Sequence, residues 1–464
     1  MELKDIRNIY FVGAGGIGMA ALERYFLSLG KKVAGYDRTP SALTSELARE
    51  GVEITYTDCA DTIPAQFRTP ADTLVVYTPA IPDDNEILAF FRRGGFEVDK
   101  RSAVLGAITR SSKGLCFAGT HGKTTTSSMA AHILHSGPTG CNAFLGGILL
   151  GYNSNLMLSE SSPFSVIEAD EYDRSFHTLR PYIAVINATD PDHLDIYGTE
   201  EAYLESFAHF TELIQPGGML LIHTGLKLKP RPGKDVRTFT FSRTEGDFHA
   251  ANIRRGEGRI VFDFVYPGGT IADIELGVPV DINIDNAVAA LAAVWLAGEL
   301  TPDLARKAMA SYPGVERRFQ FHLRPAEGDP RAIIDDYAHH PDELRSSIRS
   351  VRALFPGRRL TVAFQPHLYS RTRDFAAQFA EALSGADSVI LVDLYPAREE
   401  PIPGISEKTI FDKVKCADKE MISKQDFVNR LKNRNFDVLL TAGAGDLNIL
   451  TARLADEIAG ERRK

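Results

Sequence analysis

The order of apolar runs predicts an α/β protein of three domains, each built on a mostly parallel sheet. Three observations carry that prediction. Short β-branched runs alternate with helix-length segments along the chain, the pattern of doubly wound sheets. Two glycine-rich turns each follow such a run and open a helical stretch, the place where open parallel sheets receive phosphates. The length of 464 residues matches about three domains of roughly 150 residues each.

The first domain, 1–108, takes the runs IYFVGAG, KKVAGYD and TLVVYTPA as strands. A polar TRSSKG stretch near Thr109–Gly114 marks its end. The second, 109–313, takes LCFAGTHG, FSVIEAD, YIAVINA and MLLIH, with RIVFDFVY and TIADIELG as an antiparallel-looking pair about Pro267-Gly268-Gly269. Its segment Ala287–Gly298 is apolar but far short of the ~20 residues a membrane helix needs, so it reads as a core helix. SYPGV closes the domain, and RAIIDDY, LTVAFQP, SVILVDLYP and VLLTAGAG supply strands to the third, 314–464. The terminal GERRK reads as a solvated end.

Composition excludes several classes. Lys+Arg 52 against Asp+Glu 61 leaves a net charge of -9, which argues against broad attraction to a nucleic-acid backbone. The charged and glycine-rich N-terminus reads as a strand entering a turn, with no secretory signal. Cys59, Cys116, Cys141 and Cys416 form no CxxC pair and are expected to be reduced thiols of a cytoplasmic protein.

In the first loop, Gly13-Ala14-Gly15-Gly16-Ile17-Gly18 fits GxGxxG, and Asp37 ends the next strand. Such a turn brings backbone close to a pyrophosphate, and the acidic residue can bind a ribose hydroxyl. Taken alone it would indicate NAD or FAD and an NAD(P)-dependent oxidoreductase, yet it fits any nucleoside diphosphate. The second loop, Gly119-Thr120-His121-Gly122-Lys123-Thr124-Thr125, has the form GxxGKT. Its amides and Lys123 suit triphosphate oxygens, and the Thr124 hydroxyl suits Mg²⁺. An oxidoreductase has no use for this second loop. Two acidic clusters, Glu168-Ala169-Asp170-Glu171 and Asp190-Pro191-Asp192-His193-Leu194-Asp195, follow strands and can face it as metal ligands.

AGTHGKTTT, EADEYDRSF, DPDHLDIYG, GVERRF, DDYAHHP, FQPHLYSRT, YPAREEPIPG and TAGAGD, with GAGGIGMAAL and VVYTPAIPDDNEI ahead of them, resemble in order the motifs of the Mur ligase family. The resemblance implies a Rossmann-like UDP-sugar-binding domain at 1–108, a central P-loop ATPase-like domain at 109–313, and a C-terminal Rossmann-like domain at 314–464 for amino acid and ATP. Within the family the likeness is to the branch that joins L-alanine to UDP-N-acetylmuramate for peptidoglycan precursors. The murein-peptide ligases, which join a tripeptide to the same sugar nucleotide, are the alternative. ATP and Mg²⁺ (or Mn²⁺) are implied, in a cytoplasmic monomer or homodimer whose domains converge on the phosphates.

Carried over by position, the resemblance assigns the UDP-sugar to Gly15, Gly16, Ile17 and Gly18, with Asp37, Thr78 and Ala80 nearby. ATP falls to Gly119, Thr120, His121, Gly122, Lys123, Thr124 and Thr125, with Asn283 and Asn286 reading adenine, Arg318 on the phosphates beside Arg317, and Asp336 on the ribose or phosphates. Thr124 would hold one Mg²⁺; Glu168 and His193 would hold a second. Tyr337, His339, His340 and Arg371 would form the amino-acid pocket. Lys123, Glu168, His193, Arg318 and His339 form the implied catalytic set. The chain departs from the family pattern at Leu368, where arginine is frequent, at Ile282, in place of a histidine, at Ala188, where many relatives carry asparagine, and at Tyr172, where many carry serine.

Overall fold

The computed structural model describes residues 5–82, 84–256, 258–397 and 399–462. Its strands form three sheets. The first contains β1 (Asn8–Val12), β2 (Lys32–Tyr36), β3 (Glu53–Thr55), β4 (Thr73–Tyr77) and β5 (Glu97–Lys100), in spatial order β3-β2-β1-β4-β5. All its neighbouring strands are parallel. β1 is apolar on both faces because helices cover both. Ile9 and Phe11 enter one core with Val33, Leu74 and Val76, while Tyr10 and Val12 enter another with Ala34 and Val75. The chain passes from β1 to one side and returns to the other at β4. The crevice for a ligand therefore opens at the carboxyl ends of β1 and β4.

The second sheet contains β6 (Lys113–Ala118), β7 (Asn142–Leu149), β8 (Ser154–Met157), β9 (Phe164–Glu168), β10 (Ile183–Ile186), β11 (Met219–His223), β12 (Arg237–Ser242), β13 (Phe248–Gly256), β14 (Arg259–Tyr266) and β15 (Gly269–Glu275). Its order is β15-β14-β13-β12-β11-β10-β6-β9-β7-β8. β6, which carries the second glycine loop, lies parallel between β10 and β9. Loops leaving the three strands thus emerge at one edge. The helix Ile282–Leu296 is fully buried from Ala287 to Val294, as a core helix should be.

The third sheet contains β16 (Gln320–Leu323), β17 (Ala332–Asp336), β18 (Leu360–Phe364), β19 (Ser388–Val392), β20 (Asp418–Ile422) and β21 (Val438–Ala442), in order β16-β17-β21-β18-β19-β20. Only β16 runs antiparallel to its neighbour.

By compactness the chain divides into two units. One holds Met1–Ala251, Phe264–Ala272 and Asp285–Ser311; the other holds Asn252–Asp263, Asp273–Ile284 and Tyr312–Lys464. The TRSSKG stretch contains the last turn of the helix Arg101–Ser111 and the start of β6. That helix is fastened within the first unit: a Cβ on Gly106 would stand 2.3 Å from the Thr178 carbonyl oxygen, and Thr178 Oγ1 donates to the Ser102 carbonyl at 2.6 Å. Arg462 donates to Asp329 at 2.8 Å and to the Arg324 carbonyl at 2.8 Å, tying the last helix to the third sheet. None of the described helices is long and apolar enough to cross a membrane.

Candidate active site

The first loop leaves β1 at Gly13, whose φ of 96° favours glycine. A Cβ there would also lie 2.5 Å from Thr78 Cγ2, so the turns after β1 and β4 touch. Asp37 donates nothing and accepts twice: from the Gly15 amide at 2.6 Å and the Thr39 amide at 3.1 Å. It holds the loop's shape. Asn155, buried on β8, donates to the Ile17 carbonyl at 3.0 Å and braces the same turn. Gly16 stands at the start of the helix Ile17–Ser28, whose leading amides have no helical acceptor. A Cβ on Gly18 would meet Arg101 Nη1 at 2.9 Å and Cζ at 3.1 Å. This guanidinium begins its own helix and carries no ion pair or hydrogen bond among the described residues. Sequence reading missed it because it lies far along the chain from the glycines. Ala80 is exposed in the turn after β4.

In the second loop Gly119 and Gly122 have φ of 136° and 81°. A Cβ on Gly119 would stand 2.8 Å from the Ala188 amide nitrogen. One on Gly122 would stand 2.6 Å from Asn286 Oδ1 and 3.0 Å from Asn187 Nδ2. Asn187 donates to Thr126 Oγ1 at 2.8 Å, and Thr126 donates to Asn286 Oδ1 at 3.2 Å. The amide beside the loop thus comes from Asn187, one residue before the Ala188 departure. Asn286 reaches the loop, whereas Asn283 donates to the Val278 carbonyl at 3.1 Å in the other unit. Ile282 is exposed. Thr120 donates to the Asp190 carbonyl at 2.7 Å and lies 2.9 Å from the Tyr203 hydroxyl, while His121 is exposed and Thr125 half-buried.

Lys123 Nζ donates to the Gly119 carbonyl at 2.7 Å and to Glu171 Oε1 at 2.8 Å. Thr124 Oγ1 donates to Glu168 Oε1 at 2.9 Å, and Glu168 Oε2 accepts the Gly146 amide at 2.9 Å. Burial raises the Glu168 carboxyl above the usual range, opposed by the Thr124 hydroxyl and the Lys123 charge. The Thr124–Glu168 pair offers oxygen ligands of the kind Mg²⁺ takes together with phosphate oxygens and water. No cluster of three or more His, Cys, Asp or Glu side chains among the described residues could hold a metal by itself. His193, at φ 52°, lies 3.6 Å from Asp192 Oδ2 and edge-on to the Tyr172 ring at 5.0 Å. Its nitrogen is a poorer donor to a hard cation than the carboxylate.

In the second unit Arg317 donates to the Gly443 carbonyl at 2.7 Å and stacks on Tyr337 with Cζ 4.7 Å from the ring centre. Arg318, its neighbour, is exposed. Tyr337 meets His339 at 5.1 Å between ring centres, and His339 meets His367 at 6.2 Å. Arg317 Nε, Arg371 Nη1 and His367 Nδ1 are buried without a hydrogen-bond partner among the described residues. Burial and the Arg371 charge hold the His367 imidazole below its ordinary value. Such a set suits an anionic group. His367 lies within the FQPHLYSRT motif. His340 instead caps the helix Pro341–Leu354, its Nδ1 accepting the Asp342 amide at 3.4 Å. Asp336 is held by the Ser347 hydroxyl, and burial raises its carboxyl. Its neighbour Asp335 is pushed up to about 6 by burial, with Oδ2 unpartnered among the described residues.

Three family models cover the chain: "Mur ligase family, catalytic domain" at residues 8–113, "Mur ligase middle domain" at 117–294, and "Mur ligase, glutamate ligase domain" at 317–451. The UDP-N-acetylmuramate–L-alanine ligase of Phocaeicola vulgatus is 56% identical over 97% of each chain. The chain belongs to the Mur ligase family. The Parabacteroides distasonis protein of the same name is also 56% identical to this Mur ligase, over 100% of both chains. Among solved structures, the UDP-N-acetylmuramate–alanine ligase of Thermotoga maritima superposes with a TM-score of 0.77 at 27% identity, covering 98% of this Mur ligase and 99% of that chain. A murein peptide ligase from Psychrobacter arcticus shares the fold at TM-score 0.61 and 20% identity, over 97% and 98% of the two chains.

Proposed function

We propose that this Mur ligase uses ATP to join L-alanine to the lactyl carboxylate of UDP-N-acetylmuramate, in the cytoplasm, as a step of peptidoglycan precursor synthesis. The observation that carries the reading is the end-to-end identity to ligases of that name, 56% over 97% and 100% of the chain. The Thr124–Glu168 pair at the phosphate loop supports it.

A carboxylate does not react with an amine at neutral pH because its leaving group would be oxide. In this reading the substrate carboxylate oxygen attacks the γ-phosphorus and ADP leaves. The alanine amine then attacks the acyl carbon of the acyl phosphate. The tetrahedral adduct collapses to the amide with loss of phosphate and a proton. Positioning and charge neutralisation supply most of the rate. Lys123 contacts the β- and γ-phosphates, and Arg318 is assigned to phosphate as well. Thr124 would hold one Mg²⁺, and Glu168 and His193 would hold a second; a bound Mg²⁺ neutralises phosphate charge. Gly15, Gly16, Ile17 and Gly18 receive the UDP pyrophosphate. Arg371 takes the alanine carboxylate, with Tyr337 and His339 lining the pocket and His339 receiving the amine proton.

Phosphate release with Mg²⁺, ATP and UDP-N-acetylmuramate tests this, comparing L-alanine, glycine, L-serine and the L-Ala-γ-D-Glu-diaminopimelate tripeptide. Release should require the sugar nucleotide and L-alanine together. Release with the tripeptide alone would assign the chain to peptide recycling. Lys123→Ala should abolish turnover while UDP-sugar binding persists.

A further inference from the structure

Glu171 is 1% exposed, and its two carboxylate oxygens are treated unequally. Oε1 accepts from Lys123 Nζ at 2.8 Å, while Oε2 is buried with no hydrogen-bond partner among the described residues. Its backbone is pinned as well. The Tyr197 hydroxyl donates to the Glu171 carbonyl, and the Arg174 amide donates to the same oxygen at 3.0 Å. A lysine ammonium has three N–H donors. Here one goes to the Gly119 carbonyl at 2.7 Å and one to Glu171, which leaves a single N–H. The Gly119 carbonyl belongs to the loop itself, so two fixed acceptors determine where the third hydrogen points.

We propose that Glu171 is a positioning residue for the ATP-dependent step: it holds the Lys123 ammonium from behind, so that its remaining N–H is aimed at the transferred phosphoryl group. The carboxylate also places negative charge near the triphosphate. It therefore gives no net help to ground-state binding and acts on the transition state, where the lysine's position matters most. This separates it from Glu168, whose oxygens go to Thr124 and Gly146 and which would hold the metal.

The inference rests on the ATP reading above, and the test keeps the two apart. Glu171→Ala and the near-isosteric Glu171→Gln are compared with the unaltered chain for kcat, MgATP dissociation constant and Mg²⁺ dependence of turnover. Glu171→Ala should lose roughly tenfold or more in kcat, the size of one charge-assisted hydrogen bond. Its MgATP affinity should be unweakened and its half-maximal Mg²⁺ concentration unchanged. Glu171→Gln, which keeps an oxygen for the lysine, should recover most of the lost kcat. An unchanged kcat in Glu171→Ala would overturn the proposal. A loss of MgATP affinity proportional to kcat would overturn it too, making Glu171 a ground-state contact. A shifted Mg²⁺ dependence would make it a metal ligand instead. Failure of the unaltered chain to bind MgATP would reject the ATP reading itself.

Discussion

The Asp37 carboxylate accepts the Gly15 amide at 2.6 Å, so a residue at the end of β2 shapes the glycine turn at the end of β1. The acid was expected to meet a ribose; its observed partner is the protein's own loop. Asp37→Ala should weaken UDP-sugar binding about tenfold or more by releasing its charge-assisted hydrogen bonds from the Gly15 and Thr39 amides, with MgATP affinity unchanged. Calorimetry with each nucleotide separately checks this. Equal losses for both would show that the loop's shape is not confined to the sugar-nucleotide end.

Arg101 lies with its guanidinium against Gly18, 2.9 Å from the position of a Cβ, where helix amides already concentrate positive potential. Nothing among the described residues neutralises it. Arg101→Ala should cost roughly tenfold in UDP-sugar affinity and flatten its dependence on salt concentration, whereas Arg101→Lys should lose less. Binding measured at two ionic strengths decides the matter, and wild-type affinity in the alanine variant would count against a pyrophosphate contact.

Arg371 Nη1 and His367 Nδ1, buried without a hydrogen-bond partner among the described residues, suit the acceptor carboxylate of the proposed reaction. Arg371→Ala should raise the KM for L-alanine by about tenfold or more and leave the KM for UDP-N-acetylmuramate in place. Steady-state kinetics with each substrate varied in turn provides the check. A selective rise in the sugar-nucleotide KM would relocate the arginine's partner.

His132 joins two hydroxyls in the interior, Nδ1 at 2.9 Å from Tyr152 and Nε2 at 3.1 Å from Ser311. Burial pulls its pKa from 6.5 down to about 4. Between those values the unfolded chain binds the extra proton and the folded chain does not, so stability is retained above pH 6.5 and lost as pH falls toward 4. The loss should reach ~3 kcal/mol across that window, by the ~1.4 kcal/mol carried by each unit. Denaturant melts of the unaltered chain and His132→Gln at pH 7 and pH 5 measure it. The variant's stability should change less between the two, and parallel losses would show that another group titrates.

The loops were readable because each lies on contiguous residues whose types answer a local demand. Gly119 and Gly122 supply left-handed backbone, Lys123 supplies charge, and Thr124 supplies a hydroxyl. The sheet around them was readable for a similar reason, since runs such as LCFAGTHG and YIAVINA are apolar on both faces. What stayed hidden are contacts made across the chain. FSVIEADE places three carboxylates at the end of one strand, but the sequence does not say that Glu168 meets the threonine and Glu171 the lysine. Nothing near Asn187 or Arg101 in sequence announces that each will meet a distant glycine. His340 shows the reverse. A histidine before Pro341 has the residue types of a pocket, and its Nδ1 also caps the helix that follows.

The contact of Asn286 with Thr126 at 3.2 Å spans 160 positions. It has a meaning for the growing polypeptide. A ribosome that has released the chain through Ala188 has made the loop, Glu168, Glu171 and Asn187, but not the Asn286 amide that also backs Gly122. Until the segment beginning at Asp285 emerges, that cradle lacks one wall, and closing so long a loop is slow relative to local helix formation. Nucleotide affinity should therefore arise late in synthesis, which protects an unfinished chain from holding ATP it cannot use.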